Sequence, residues 1–506
     1  MKLGKSGKFQ KLGKSSQTQA GNSGFSITCC SPLFLWHNIC PVFSKLKNMP
    51  NKRWILCACI VILASWKPSF AQKKLRIEAK IANIKPMRLI LTQYFAGQQM
   101  PVDTAILGAD GRVVWQTDAI PEGVCRVVGL GKGLDIFVTG SQQFSFEADY
   151  KDLIASIRFK NSPENTLFFD YQRELRRRYQ AALAERQRMG VKEDSDPRWK
   201  NRFQELNQQV KVFVDSLYQK HPTYLSTRFL KSYQEPNLPI LPVQKLSAKD
   251  SLYLRNYAWE HFFDNAFLSD ERMVYTSTVP ARFERFLKAL PQFEKEHRRK
   301  LVEGLIQKTK GTTELRKYII GGLAQRVELT SNPDFDQLFE QIVDNYVEND
   351  TKLWDASTLQ RLKELKTIKA NVAIGNKFPK IPLATVDGKA FHWEDIHSDY
   401  TLLFFYDPGC THCREATPAL VTMAKQYANK MNVVAITLDP NEAQWKAFIN
   451  QFQTENFVNV RDSARSIEFH KLGVIEYPTI YLLDRDKKIV GRWLKVEELP
   501  SYLVSR

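Results

Sequence analysis

A continuous apolar run at residues 401–406 ends four residues before a close pair of cysteines, Cys410-Thr411-His412-Cys413. No other feature narrows the fold as far. An uninterrupted run of this length reads as a strand buried on both faces. Residues 411–428 carry helical spacing, so the cysteines sit where a buried strand turns into a helix. There the unpaired backbone N–H groups and the helix dipole favour a thiolate at Cys410. Cys413, three residues on, lies on the same helical face and can reach Cys410. Only the thiolate attacks a disulfide, so the spacing supplies an attacking and a resolving sulfur. His412 is expected to add positive charge close to the thiolate. Pro418 is expected to kink the helix one turn later. Tyr477-Pro478-Thr479 precedes a further apolar run. A cis proline there would bring the backbone of residue 477 beside the sulfurs, ready to pair with a substrate strand.

Other uses of the pair fit less well. Zinc needs four ligands, and after residue 72 the only other cysteine is Cys125, with no cysteine spacing near His392 or His397. A peroxidase of the peroxiredoxin type would want Thr three residues before its cysteine, where this chain has Asp407. Cys125 itself reads as a small buried hydrophobe.

The chain has 506 residues, enough for two to four domains. Residues 72–163 read as a β-rich domain, a small sandwich or barrel. Residues 75–81 and 88–94 are strands, and Asp110-Gly111 predicts a hairpin between residues 104–107 and 112–116. The glycines at 129, 131 and 133 mark a plain turn, because the strand-to-helix context of a phosphate loop is missing. Residues 164–370 switch to helical spacing, broken by the Pro-rich stretch at 236–242, and predict an all-helical domain. His261 and Asp264 within it read as a structural pair. Residues 371–506 alternate strand and helix, which predicts an α/β sandwich.

The formal charge of +19 overstates the basicity of this part of the chain. Residues 1–71 hold ten Lys and Arg and no Asp or Glu, so the remainder carries only +9. The Arg-rich run at 173–178 has helical apolar neighbours and reads as a solvated helix face, so no nucleic-acid partner is expected. From Met49 the sequence has a basic start, an apolar stretch of eleven residues and Ser69-Phe70-Ala71 before Gln72. That pattern predicts a secretory signal peptide over 49–71, too short to span a bilayer as a helix. Residues 1–48 are expected to be an over-extended reading frame or a disordered tail. The Leu56-Cys57-Ala58-Cys59 stretch resembles a lipobox but lies in the middle of the apolar run, leaving lipoprotein anchoring as an alternative.

The segment Phe405-Tyr406-Asp407-Pro408-Gly409-Cys410-Thr411-His412-Cys413, with Tyr477-Pro478-Thr479, resembles the TlpA/ResA group of bacterial envelope thioredoxins. Phe378-Pro379 and Val386-Asp387-Gly388 are similar to the extra N-terminal hairpin of that group. Trp259–Asn265 with Ser269–Arg272, and Val102–Ala105 with Asp110-Gly111, resemble the uncharacterised helical and β-domains that precede such thioredoxins. The resemblance implies a C-terminal thioredoxin-like fold behind a helical and a β-sandwich-like domain. It implies a periplasmic thiol–disulfide oxidoreductase acting on protein thiols and disulfides as reductase or isomerase. It further implies a membrane-linked electron donor and no cofactor, with a homodimer as a further expectation. Taken together, the residue-level readings assign Cys410, Cys413, His412 and Pro478 to catalysis, and Tyr477 and Thr411 to substrate binding. In one respect the chain departs from the group. The Glu usual three residues after the second cysteine is Ala416 here, and Glu415, one residue early, turns ~100° away on a helix. Asp407 is a weaker candidate for proton transfer. A competing expectation is an envelope module that binds a partner and whose redox activity is secondary.

Overall fold

The computed structural model describes residues 74–131, 133–242, 245–437, 441–462 and 467–504. The expected signal peptide, the residues before it and the cleavage point at Gln72 lie outside the described residues.

In strand β1 (Leu75–Ala82) buried and exposed residues alternate without a break, as one wet face requires. It lies between β4 (Arg112–Thr117), antiparallel, and β7 (Gln143–Asp149), parallel, with β8 (Arg158–Lys160) beyond β7. A second sheet has the order β3 (Gln98–Leu107), β2 (Met87–Phe95), β5 (Gly123–Val128), β6 (Leu134–Val138). The hairpin expected across Asp110-Gly111 is not formed. β3 pairs instead with β2 through Ala96-Gly97, both at positive φ (50° and 87°). Such a two-residue turn matches the twist of its flanking strands. β4 crosses to the other sheet and pairs with β1, so Asp110-Gly111 is a corner between sheets. The corner is tight: the Gly111 carbonyl accepts from the Ile81 N–H at 2.8 Å.

Every regular element between Pro163 and Asn371 is helical among the described residues. Helices α1 (Pro163–Arg188) and α2 (Pro197–Lys220) each start with proline in the first turn, where its missing N–H costs nothing. Asn165 of α1 is fully buried, accepts from the Phe137 N–H at 2.8 Å and donates to the Phe137 carbonyl at 2.7 Å. Its amide thus occupies the edge of β6 as another strand would. One apolar cluster runs from Leu75 to Leu365, shared by the sandwich and the helices. The chain continues through α3 (Leu225–Lys231), the Pro-rich break, α4 (Ala248–Glu260), α5 (Thr278–Ala289) and α6 (Lys295–Lys308). It ends this region with α7 (Glu314–Glu328), α8 (Pro333–Ile342) and α9 (Ala356–Asn371). His261 does pair structurally: its Nδ1 lies 2.7 Å from Asp264, whose other oxygen meets Lys308 at 2.8 Å.

The C-terminal sheet has six strands in the order β14-β13-β10-β11-β12-β9. β9 (Ala384–Thr385) and β12 (Val458–Arg461) were not evident from periodicity. β10 (Tyr400–Tyr406) is central, parallel to β11 (Met431–Thr437) and antiparallel to β13 (Thr479–Asp484). β14 (Ile489–Arg492) closes one edge. Leu402, Phe404 and Tyr406 pack with helices α10 (Thr411–Gln426), α11 (Glu442–Phe452) and α12 (Leu499–Val504). Leu403 and Phe405 face the opposite layer, with Phe378, Trp393 and Phe469. Both faces of β10 are covered, which is why its sequence shows no alternation.

Candidate active site

β10 delivers the chain from the middle of the sheet to the turn at residues 407–410. Asp407 shapes that turn from both ends: its carboxylate accepts from the Gly409 N–H at 2.7 Å and its carbonyl from the Cys410 N–H at 3.0 Å. Cys410 is the N-cap of α10, with extended backbone (φ −73°, ψ 123°), and its sulfur accepts from the Cys413 N–H at 3.4 Å. That is the place of an N-cap oxygen, where unpaired amides stabilise an anion. On its other side, Cys410 Sγ lies 3.5 Å from the Tyr477 carbonyl.

The two thiols differ in environment. Cys410 is partly exposed, whereas Cys413 is fully buried. Burial pushes the Cys413 thiol up to about 12. The backbone N–H of Asp407 opposes that shift, and the neighbouring Cys410 sulfur and the Asp407 carboxylate add to it. Tyr477 is raised as well, by burial and then by the same carboxylate. Thr417 donates to the Cys413 carbonyl at 2.7 Å, inside the helix that also contains Pro418.

The residues singled out by sequence are placed unequally. Cys410, Cys413, Tyr477 and Pro478 converge, and the Tyr477–Pro478 peptide is cis. Thr411 is exposed at the start of α10. The side chain of His412 is 80% exposed, and its Nδ1 faces Glu415 at 3.4 Å. Glu415 thus points to solvent beside His412. Arg414 was missed: it donates to the Pro408 carbonyl at 3.3 Å and to Gln451 of α11 at 2.7 Å. It therefore braces the cysteine turn from behind. A cation next to a cysteine pair is too common for sequence to reveal that role.

A central parallel strand, a helix N-capped by one sulfur of a dithiol and a facing cis-proline loop define a thioredoxin-fold dithiol domain. Residues 398–489 match a family model described as Thioredoxin-like. The Thioredoxin-like protein YneN of Bacillus subtilis is 28% identical over 113 residues, which are 22% of this chain and 65% of that protein. The Thiol-disulfide oxidoreductase ResA of Bacillus thuringiensis is 25% identical over 142 residues, which are 27% of this chain and 80% of that one. Among solved structures, a thioredoxin-like protein from Bacteroides caccae covers 53% of this chain and 97% of its own, at 19% identity and a TM-score of 0.44. The C-terminal region of this chain is thioredoxin-like over residues 398–489 and is similar to the ResA thiol–disulfide oxidoreductases, which fits the thiol–disulfide oxidoreductase class.

Proposed function

We propose that the chain is an exported thiol–disulfide oxidoreductase that exchanges disulfides with protein substrates, as a reductase or isomerase. The observation that carries the reading is the unequal burial of two adjacent sulfurs, one half-open at a helix N-terminus and one sealed behind it. In the reducing direction the Cys410 thiolate attacks a substrate disulfide. One substrate sulfur leaves as a thiolate and takes up a proton, and a Cys410–substrate mixed disulfide forms. Cys413 then loses its proton and attacks Cys410 Sγ. The second substrate thiolate leaves, and the Cys410–Cys413 disulfide remains. Two electrons have passed to the substrate, and a dithiol donor, linked to the membrane in this reading, restores the pair. Tyr477 offers its backbone to an extended substrate segment, with Pro478 and Thr411 flanking the sulfur. Asp407, whose field acts on Cys413, is the carboxylate best placed to influence that proton.

The order of events has a direct test. In Cys413→Ser, substrates should accumulate as mixed disulfides on non-reducing gels, because no resolving sulfur is left. Cys410→Ser should trap none and should lose insulin-disulfide reduction. Equal trapping by both variants would overturn the assignment.

Export rests on the residues before Gln72. Protein recovered from the cell envelope should begin at Gln72 on N-terminal sequencing. Mature protein that retains residues 1–48 would remove both the cleavage and the start-site argument.

A further inference from the structure

Arg492, the last residue of β14, is fully buried where the thioredoxin sheet meets the helical region. Its guanidinium donates to the carbonyls of Lys369 and Val372 at the end of α9, both at 2.8 Å, and to the carboxylate of Asp336 in α8. Its Nε reaches the Thr330 carbonyl at 3.4 Å, and its backbone N–H donates to Ser331 Oγ at 3.1 Å. Lys369, 2% exposed, pairs with the other oxygen of Asp336 at 2.8 Å and donates to the Glu328 carbonyl at 2.6 Å. Two cations and one anion are therefore enclosed together. Such an arrangement is a poor source of stability, since a well-packed apolar replacement is often as good or better. What it supplies is a fixed register between β14 and three helix ends.

That register continues towards the site. Trp493, the next residue, lies under the Arg492 guanidinium at 4.3 Å and donates its indole N–H to the Gly473 carbonyl at 2.7 Å. Tyr481 of β13 donates to the adjoining Leu472 carbonyl at 2.7 Å. The turn is packed so closely that a Cβ on Gly473 would come within 2.4 Å of the Tyr481 oxygen. Four residues later stands Tyr477, whose carbonyl faces Cys410 Sγ.

We propose that Arg492 and Trp493 are positioning residues through which the helical region fixes the substrate-pairing backbone at Tyr477 opposite Cys410. This rests on the thiol–disulfide reading of the site. The helical region is then part of the catalytic unit, because it sets the loop against which a substrate strand is aligned.

The test compares two readouts in the full chain: insulin-disulfide reduction, and alkylation of Cys410 by iodoacetamide, which needs no docking. Arg492→Met keeps the bulk and removes the anchor. Trp493→Phe keeps an aromatic ring beside Arg492 and removes the N–H to Gly473, together with part of the indole's bulk. In both, KM for insulin should rise about three- to tenfold with kcat nearly unchanged, as displacement of a positioning element predicts. Alkylation should stay within about twofold of the wild-type rate, since the helix N-cap around Cys410 is left intact. If Arg492→Met fails to fold, Trp493→Phe decides. A folded Trp493→Phe with wild-type insulin kinetics overturns the inference, and so does an equal fall in both readouts. Wild-type protein that cannot reduce insulin at all overturns the parent reading, and this inference with it.

Discussion

Cys410 and Cys413 are three residues apart and differ mainly in what surrounds the sulfur. Their spacing and their place after a buried strand were legible in sequence, because both follow from local pattern. The neighbourhood of His412 was not. Sequence puts an imidazole beside the dithiol; the structure turns it outward, 80% exposed, against Glu415 at 3.4 Å. An imidazolium near Cys410 stabilises the reduced, thiolate form and makes the pair more oxidising, whereas a carboxylate does the reverse. His412→Ala should therefore lower the reduction potential of the pair and Glu415→Gln should raise it. Each shift should stay below ~30 mV, the equivalent of ~1.4 kcal/mol for a two-electron couple, because exposed charges are screened by water and salt. Equilibration of each variant against glutathione measures both shifts. Shifts of the same sign would show that the two charges do not act on Cys410 in opposition. The missing Glu at Ala416 was visible in sequence. The position of Asp407, bonded to the backbone of Gly409 and Cys410, emerges only from the turn geometry.

At the level of elements, the corner at Gly111 shows what a strand pattern contains and what it omits. Gly111 has φ +75°, and a Cβ there would come within 2.4 Å of the Ile81 carbonyl oxygen. Gly140 has a similar φ, +61°, with nothing within 4 Å of its Cβ position. Gly140→Ala should lose about 1–2 kcal/mol, the usual left-handed penalty. Gly111→Ala adds a backbone clash and a lost hydrogen bond, and should lose about 3 kcal/mol or more. Urea unfolding of the two variants measures the difference, and equal losses would mean that the corner relaxes freely. Alternation along residues 75–81 marked a strand and its wet face correctly, because that information is local. It could not name the partner. Asp110-Gly111 looked like a hairpin turn, yet the hairpin lies at Ala96-Gly97 and β4 pairs with β1. β12 was hidden for a related reason: four residues between a helix and a loop are too few to show a period. The six-residue apolar run of β10 and the helix behind the cysteines were long enough to be read outright.

On the scale of the whole molecule, the joint between helices and thioredoxin sheet was invisible in sequence. Asp336 and Arg492 are 156 residues apart, and each alone reads as an ordinary surface charge. The joint nonetheless leaves a signature in stability against pH. Burial is the main cause that lowers Lys369, to about 8 from its usual 10.5; the nearby Arg492 also lowers it, and Asp336 offsets part of the effect. Between these two values the unfolded chain holds more protons at this side chain than the folded one, so stability rises with pH there. The contribution of Lys369 is thus fully present above about pH 10.5 and is lost as pH falls through about 8. Other groups titrate in the same window, among them Cys413, whose raised value acts in the opposite direction. Comparison with Lys369→Met cancels them, because they are common to both proteins. At pH 7 the methionine variant should be as stable as wild type or more so, since it no longer buries an ammonium group. Raising the pH to 10 should improve the wild type relative to the variant, by an amount of the order of 2–3 kcal/mol if the whole shift is expressed. Urea unfolding of both proteins at the two pH values gives the double difference. A difference near zero would mean that Lys369 keeps its proton throughout, held by Asp336 more tightly than its burial opposes. A difference of the opposite sign would mean that the charged ammonium, paired with Asp336, is itself what holds α8 and α9 against the sheet.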